Sequence, residues 1–178
     1  MIYSAFATTF DSMRLHPPLV AALTLTLLCA CTTALSIAKV GVGETRESVE
    51  ARFGAPSAVH AMADGHPRLE YHGMSLGLRT YMIDIDATGH VARVDQVLDE
   101  EHFLKIRADM TEAEVLAQIG PPNGYGHYTH PVEAQTWIYR FETIQKCIVF
   151  ELPFDVRTHR TLEGGAFPPD KSCGRIMV

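Results

Sequence analysis

Apolar and polar residues follow two different periods along this chain, and a run with no period precedes both. Leu19 to Leu28 reads LVAALTLTLL, uncharged and mostly apolar. Downstream, Val49 and Phe53 stand four apart, as do Val115 and Ile119. Each pair gives a short segment one apolar stripe at helical spacing. Thr45 and Thr111 stand ahead of the stripes as N-caps, whose hydroxyl oxygen accepts from an orphan backbone N–H. Glu114, three residues after Thr111, completes a capping box. Gly54 and Gly120 can take the positive φ that ends a helix, and Pro56 and Pro122 prevent its resumption. Period two then takes over. Leu69–Tyr71, Tyr81–Asp86 and His90–Val97 read as strands, with a tight turn at Asp86-Ala-Thr-Gly89. Trp137, Tyr139 and Phe141 share one strand face further on, as do Ile148, Phe150 and Leu152.

The two halves match in register at a shift of 66. Thr45, Val49, Ala51, Gly54 and Pro56 recur as Thr111, Val115, Ala117, Gly120 and Pro122. Short apolar segments, Ser36–Val40 and His102–Ile106, precede the capped helices and read as helical turns. After each capped helix comes a polar loop containing Gly, Pro and His. The expected architecture is therefore α+β: two tandem ααβββ units, each with a helix packed on an antiparallel sheet. The linker Leu98–Glu101 is short enough to press the halves together.

Composition narrows the reading. A formal net charge of −6 without a Lys/Arg cluster argues against a nucleic-acid partner and against a polybasic membrane patch. Arg14 precedes the apolar run, which is too short to span a bilayer as a permanent helix, and Pro17 and Pro18 stand between them. This is the layout of a cleaved secretion signal over residues 1–30, starting at Met1 or at Met13. The competing reading is a buried helix with incidental cysteines. The run ends in Leu28-Cys29-Ala30-Cys31, which resembles a bacterial lipobox. That resemblance implies a diacylglycerol on the Cys31 thiol, cleavage on its N-side and a membrane contact made through lipid. Two cysteines remain, Cys147 and Cys173. An export signal implies an oxidising compartment, where such a pair tends to join; the alternative is two separate buried thiols.

Lys105–Pro122 followed by Trp137-Ile-Tyr139-Arg-Phe141 resembles the BamE family, also called SmpA or OmlA. The family pattern is Gly-Met-Thr, then Val, an aliphatic-Gly-x-Pro, and a Trp-x-Tyr strand. Ser36–Pro56 matches it more weakly, so the chain reads as tandem copies over residues 31–98 and 99–178. Asp109 replaces the family's Gly in the second copy, and Glu44 replaces its Met in the first. The resemblance implies a lipid-anchored outer-membrane lipoprotein facing the periplasm. It would be a non-catalytic accessory in outer-membrane protein assembly, binding envelope proteins of the β-barrel assembly machinery. Thr32 after the lipid cysteine, where an Asp would retain the protein at the inner membrane, fits outer-membrane sorting. The alternative is an inhibitor-type binding module, similar to β-lactamase inhibitor proteins, that grips an envelope or external enzyme with a concave sheet.

Catalytic motifs are missing: no G-x-S-x-G, P-loop, H-E-x-x-H or C-x-x-C occurs. Asp84 and Asp86 lie on one strand face and read as a solvated face beside a turn. His60, His66, His72, His127 and His130 lie in or beside the polar loops, with no cysteine and few acids to complete a metal site. No enzyme activity, metal or cofactor is expected. Tyr125 and Tyr128 in the second loop are candidate partner contacts; equally, they could fold back over the sheet.

Acylation at Cys31 is the first expected outcome. Mass spectrometry of the mature N-terminus should find acylated cysteine at residue 31, and a soluble protein with a free N-terminus elsewhere would refute it. Thiol labelling of protein taken directly from the envelope should likewise find Cys147 and Cys173 unreactive.

Overall fold

In the computed structural model, residues 37–73, 77–128, 133–143 and 148–171 are described. Cys31, Cys147, Cys173 and His130 lie outside them. The first half opens with a turn closed by the Val40 N–H on the Ile37 carbonyl (3.1 Å). Helix α1 (Arg46–Phe53) follows, then strands β1 (Ala58–Ala61), β2 (Pro67–Gly73), β3 (Arg79–Ile85) and β4 (Val91–Gln96). The second half has α2 (Glu100–Phe103), α3 (Glu112–Ile119), β5 (Gly124–Tyr128), β6 (Ala134–Arg140) and β7 (Val149–Asp155). Both sheets are antiparallel meanders, β1-β2-β3-β4 and β5-β6-β7. The fold is α+β.

The helix signals read from sequence act as expected. Thr45 accepts from the Ser48 N–H, and Thr111 with Glu114 forms a complete capping box. Gly54 (φ 82°, ψ −176°) and Gly120 (φ 73°, ψ −170°) end the helices in a region open only to glycine. One expectation is corrected. The segments read as polar loops after the capped helices each contain a strand, β1 and β5. The first sheet consequently has four strands where three were expected.

Each half has its own apolar core. In the first, Leu69, Tyr71, Tyr81, Ile83, Ile85 and Val91 meet Ile37, Val40 and Val49. In the second, Trp137, Tyr139, Phe150, Leu152 and Phe154 meet Val115 and Ile119, together with Phe103 from α2. The chain beyond β7 completes this second core. It runs along the outer side of β7 through bridges at Thr161, Ala166 and Pro169, and sets Phe167 against Phe103, Phe141 and Phe150. At Gly165 a Cβ would lie 2.2 Å from the Phe150 ring, so nothing larger than glycine fits there.

The halves are joined through the opposite face of the first sheet. Arg68, Glu70, Thr80 and Met82 point away from the first core, yet all are buried. The C-terminal end of α3 covers them. The Arg68 Nη1 donates to the Ala117 carbonyl (3.0 Å), and the Cβ position of Gly120 lies 3.0 Å from the Thr80 methyl. The layers therefore run α1, first sheet, α3, second sheet. Asp84, expected on a solvated face, instead takes Arg68 Nε and Nη2 at 2.5 and 3.0 Å, and Arg93 Nε at 3.2 Å. Asp86 has a separate job, capping its turn through the Thr88 and His90 N–H groups.

These contacts predict an acid sensitivity. Burial pushes the Asp84 carboxyl up, but the hydrogen bonds and charges of Arg68 and Arg93 outweigh it and hold it below its usual range. A carboxyl with a lowered folded-state value stabilises the fold above the unfolded value of about 4, and that contribution is lost as pH falls through the folded one. Asp84→Asn should flatten the fall in thermal stability below about pH 4. Arg68→Met should cost about 2 kcal/mol at neutral pH, the scale of hydrogen bonds to a charged group. A melting temperature unchanged by Arg68→Met would show that the two halves are not fastened there.

Candidate functional site

The residues singled out as partner contacts fall on β5, an outer strand of the second sheet. Gly124-Tyr-Gly-His-Tyr128 pairs with β6 in the register Tyr125↔Trp137, Gly126↔Thr136, His127↔Gln135 and Tyr128↔Ala134. The Asn123 side chain secures the entry to this strand, accepting from the Arg140 N–H (2.5 Å) and donating to the Gly77 carbonyl of the first half (2.8 Å).

The two tyrosines point to opposite faces. Tyr125 stands edge-on to Trp137, with ring centroids 6.4 Å apart and planes at 88°. Trp137 in turn packs on Phe154 at 4.4 Å. The inner edge of Tyr125 therefore touches the core, while 63% of the residue stays exposed. With His127, Gln135, Val156 and His159 it lines a shallow cleft of about 420 Å³. His159 is held there by Glu112 (3.0 Å). Tyr128 folds back. Its hydroxyl donates to Glu151 Oε2 at 3.2 Å. Glu151 pairs with Ile138, four positions along β6 from the Ala134 that faces Tyr128. The side chain therefore reaches diagonally across the outer face of the sheet, from β5 toward β7. Thr136, on the same outer face, is buried, and its hydroxyl has no hydrogen-bond partner among the described residues. The Glu151 charge, with smaller contributions from burial and the hydrogen bond, pushes the Tyr128 hydroxyl above the usual phenol range. Both rings stay exposed, at 63% and 46%: Tyr125 is the one packed edge-on to Trp137, and Tyr128 the one tied by its hydroxyl across the sheet.

The other candidate chemistry is tied up. His60 Nε2 sits 2.8 Å from the buried Glu70, and His72 Nδ1 3.9 Å from its other oxygen. His127 lies 3.5 Å from Glu133. Among the described residues, no three His, Cys, Asp or Glu side chains converge as metal ligands would. A larger depression of about 720 Å³ is lined by Val40, Val42, Arg79, Arg93, Val94 and Glu142. Its arginines are committed: Arg79 pairs with Glu142, and Arg93 with Asp84 and Asp95. No helix among the described residues is long and apolar enough to cross a membrane.

No protein-family model matches the chain, and no curated protein matches it. Among solved structures, a DUF4309 family protein (YjgB) from Bacillus subtilis is similar over 78% of this chain and 94% of its own, at 13% identity and a TM-score of 0.27. At that TM-score the likeness carries no argument about function.

Trp137 is the lone tryptophan of the chain and therefore reports on this site. Tyr125→Ala should shift its emission to the red and cost about 1 kcal/mol, the scale of an aromatic pair. Tyr128→Phe should leave that emission in place and change stability by less than about 0.5 kcal/mol, as for most surface changes. Emission unmoved by Tyr125→Ala would mean that this ring does not shield Trp137 in solution.

Proposed function

We propose that this protein is an outer-membrane lipoprotein, anchored by acyl chains on Cys31, whose domain faces the periplasm and acts as a non-catalytic scaffold in outer-membrane protein assembly or envelope integrity. In this reading, residues 31–98 and 99–178 are two BamE-like units, each descended from one ααβββ design. The second carries the better match to the family pattern.

The observation that carries the reading is a pair of matched hydrogen bonds. The Tyr71 hydroxyl donates to the Gly54 carbonyl, and the Tyr139 hydroxyl to the Gly120 carbonyl, both at 3.0 Å. Tyr139 is the tyrosine of the Trp-x-Tyr strand, and Gly120 the glycine of the aliphatic-Gly-x-Pro turn. The two most recognisable pieces of the motif thus bind one another, and their counterparts in the first half do the same. A second match supports it. Asp109, which replaces the family's Gly, has φ 66°, and Gly43, 66 residues earlier, has φ 88°. Asp is among the few side chains that tolerate such a φ. The replacement therefore keeps the conformation the motif needs, and Asp109 donates its N–H to Thr161 much as Gly43 does to Val91.

The inhibitor-type reading needs a free sheet face. Both faces of the first sheet are covered, one by α1 and the other by α3, so only the outer face of the second sheet could serve that reading. The test is capture from solubilised membranes of the strain that makes the protein. Recovery of β-barrel assembly subunits is the expected result. Recovery of a single soluble hydrolase would replace this reading with the inhibitor one, and recovery of neither would remove the assembly role.

A further inference from the structure

A sheet edge exposes a row of backbone N–H and C=O groups that will pair with another strand unless something prevents it. Three of the four outer edges here are protected. β4 has Val91 tied to Gly43 and Glu44 at its start and carries Arg93 and Asp95 along its length. β7 is flanked by the chain's own bridges at Thr161, Ala166 and Pro169. β1 is only four residues long. β5 has none of these devices. It contains no proline, lysine, arginine or carboxylate, and among the described residues nothing pairs with its outer side.

The sequence of that edge is self-complementary. In an antiparallel pair centred on Gly126, residue 124 meets 128, residue 125 meets 127, and Gly126 meets Gly126. Partners then always have the same parity. Outward-pointing backbone groups meet outward-pointing groups, and side chains meet on a common face. On one face, Tyr125 comes beside His127 of the second copy. These residues are well exposed, at 63% for Tyr125 and 54% for the His127 side chain. On the other face, Tyr128 comes beside Gly124, where a Cβ would find open space. No like charges are brought together, and the only close backbone approach is glycine to glycine.

We propose that β5 is a self-pairing edge. Two copies of this chain join by antiparallel addition of Gly124–Tyr128 to Gly124–Tyr128 about a two-fold axis at Gly126, forming one six-stranded sheet. The interface is isologous and closes on itself, so it stops at a dimer. It rests on the edge strand alone and stands whether or not the scaffold reading holds. A five-residue ladder is small beside standard interfaces of about 1,200–2,000 Å², so a covalent trap reads it best.

The test is photo-crosslinking of the full chain in detergent extract, with Tyr125→p-benzoylphenylalanine as the probe and a mixture of light and ¹⁵N-labelled copies. The expected product is a mixed-isotope peptide pair joining position 125 of one copy to the segment around His127 of the other. Gly126→Lys, which sets two lysines against each other on the axis, should reduce that product at least several-fold. Gly126→Ala should retain it, because its Cβ would meet Thr136 and Ile138 at an ordinary 3.7 Å. Far-UV circular dichroism and a cooperative thermal melt confirm that each variant is folded. Cross-links confined to one copy, cross-links to a different protein, or a product indifferent to Gly126→Lys would each overturn the proposal.

Discussion

Arg68 is an arginine on a central strand, pointing away from its own core, and only 8% exposed. A guanidinium cannot lose its charge in such a place, so its donors must all find acceptors. Two go to Asp84 in the same sheet and one to the Ala117 carbonyl, in the last turn of a helix from the other half. Helix ends leave carbonyls without intrahelical partners, and a cation is favoured there. One side chain thus answers two needs at once, and the answer fixes the α1, sheet, α3, sheet order of layers. Glu70, Thr80 and Met82 are buried as a result, under the same helix end.

This arrangement explains which parts of the fold were legible in the sequence. The capped helices were, because Thr45, Thr111, Gly54 and Gly120 act on backbone groups within three or four residues of themselves. The aromatic face of β6 was, because alternation records a single buried side. Both faces of β2 and β3 are buried, and that was not legible. Arg68, Glu70 and Asp84 are polar residues covered by an element some fifty or fewer positions away, and locally they look like a wet face. A salt-bridged Arg and Asp at facing positions on adjacent strands was the available signal, since Arg68 and Asp84 are register partners.

β1 and β5 escaped for a different reason. Ala-Val-His-Ala and Gly-Tyr-Gly-His-Tyr show little apolar contrast because edge strands bury little on either side. Their glycines and histidines then read as loop. The candidate residues on β5 were found as exposed aromatics, but the division of labour between them was not visible. It depends on Trp137 lying opposite Tyr125 and on Glu151 lying within reach of the Tyr128 hydroxyl.

The closing of the second core by Phe167 has a consequence for the order of events as the chain emerges. The rings of Phe103, Phe141 and Phe150 are contributed early, but the ring that sits against all three comes from beyond the last strand. A chain delivered from its N-terminus can complete the first core long before the second. Until residue 167 arrives, the second half remains one aromatic short, and the outer side of β7 is as bare as that of β5. For that interval a nascent molecule has two open edges on one sheet, and only the arrival of its own tail seals one of them.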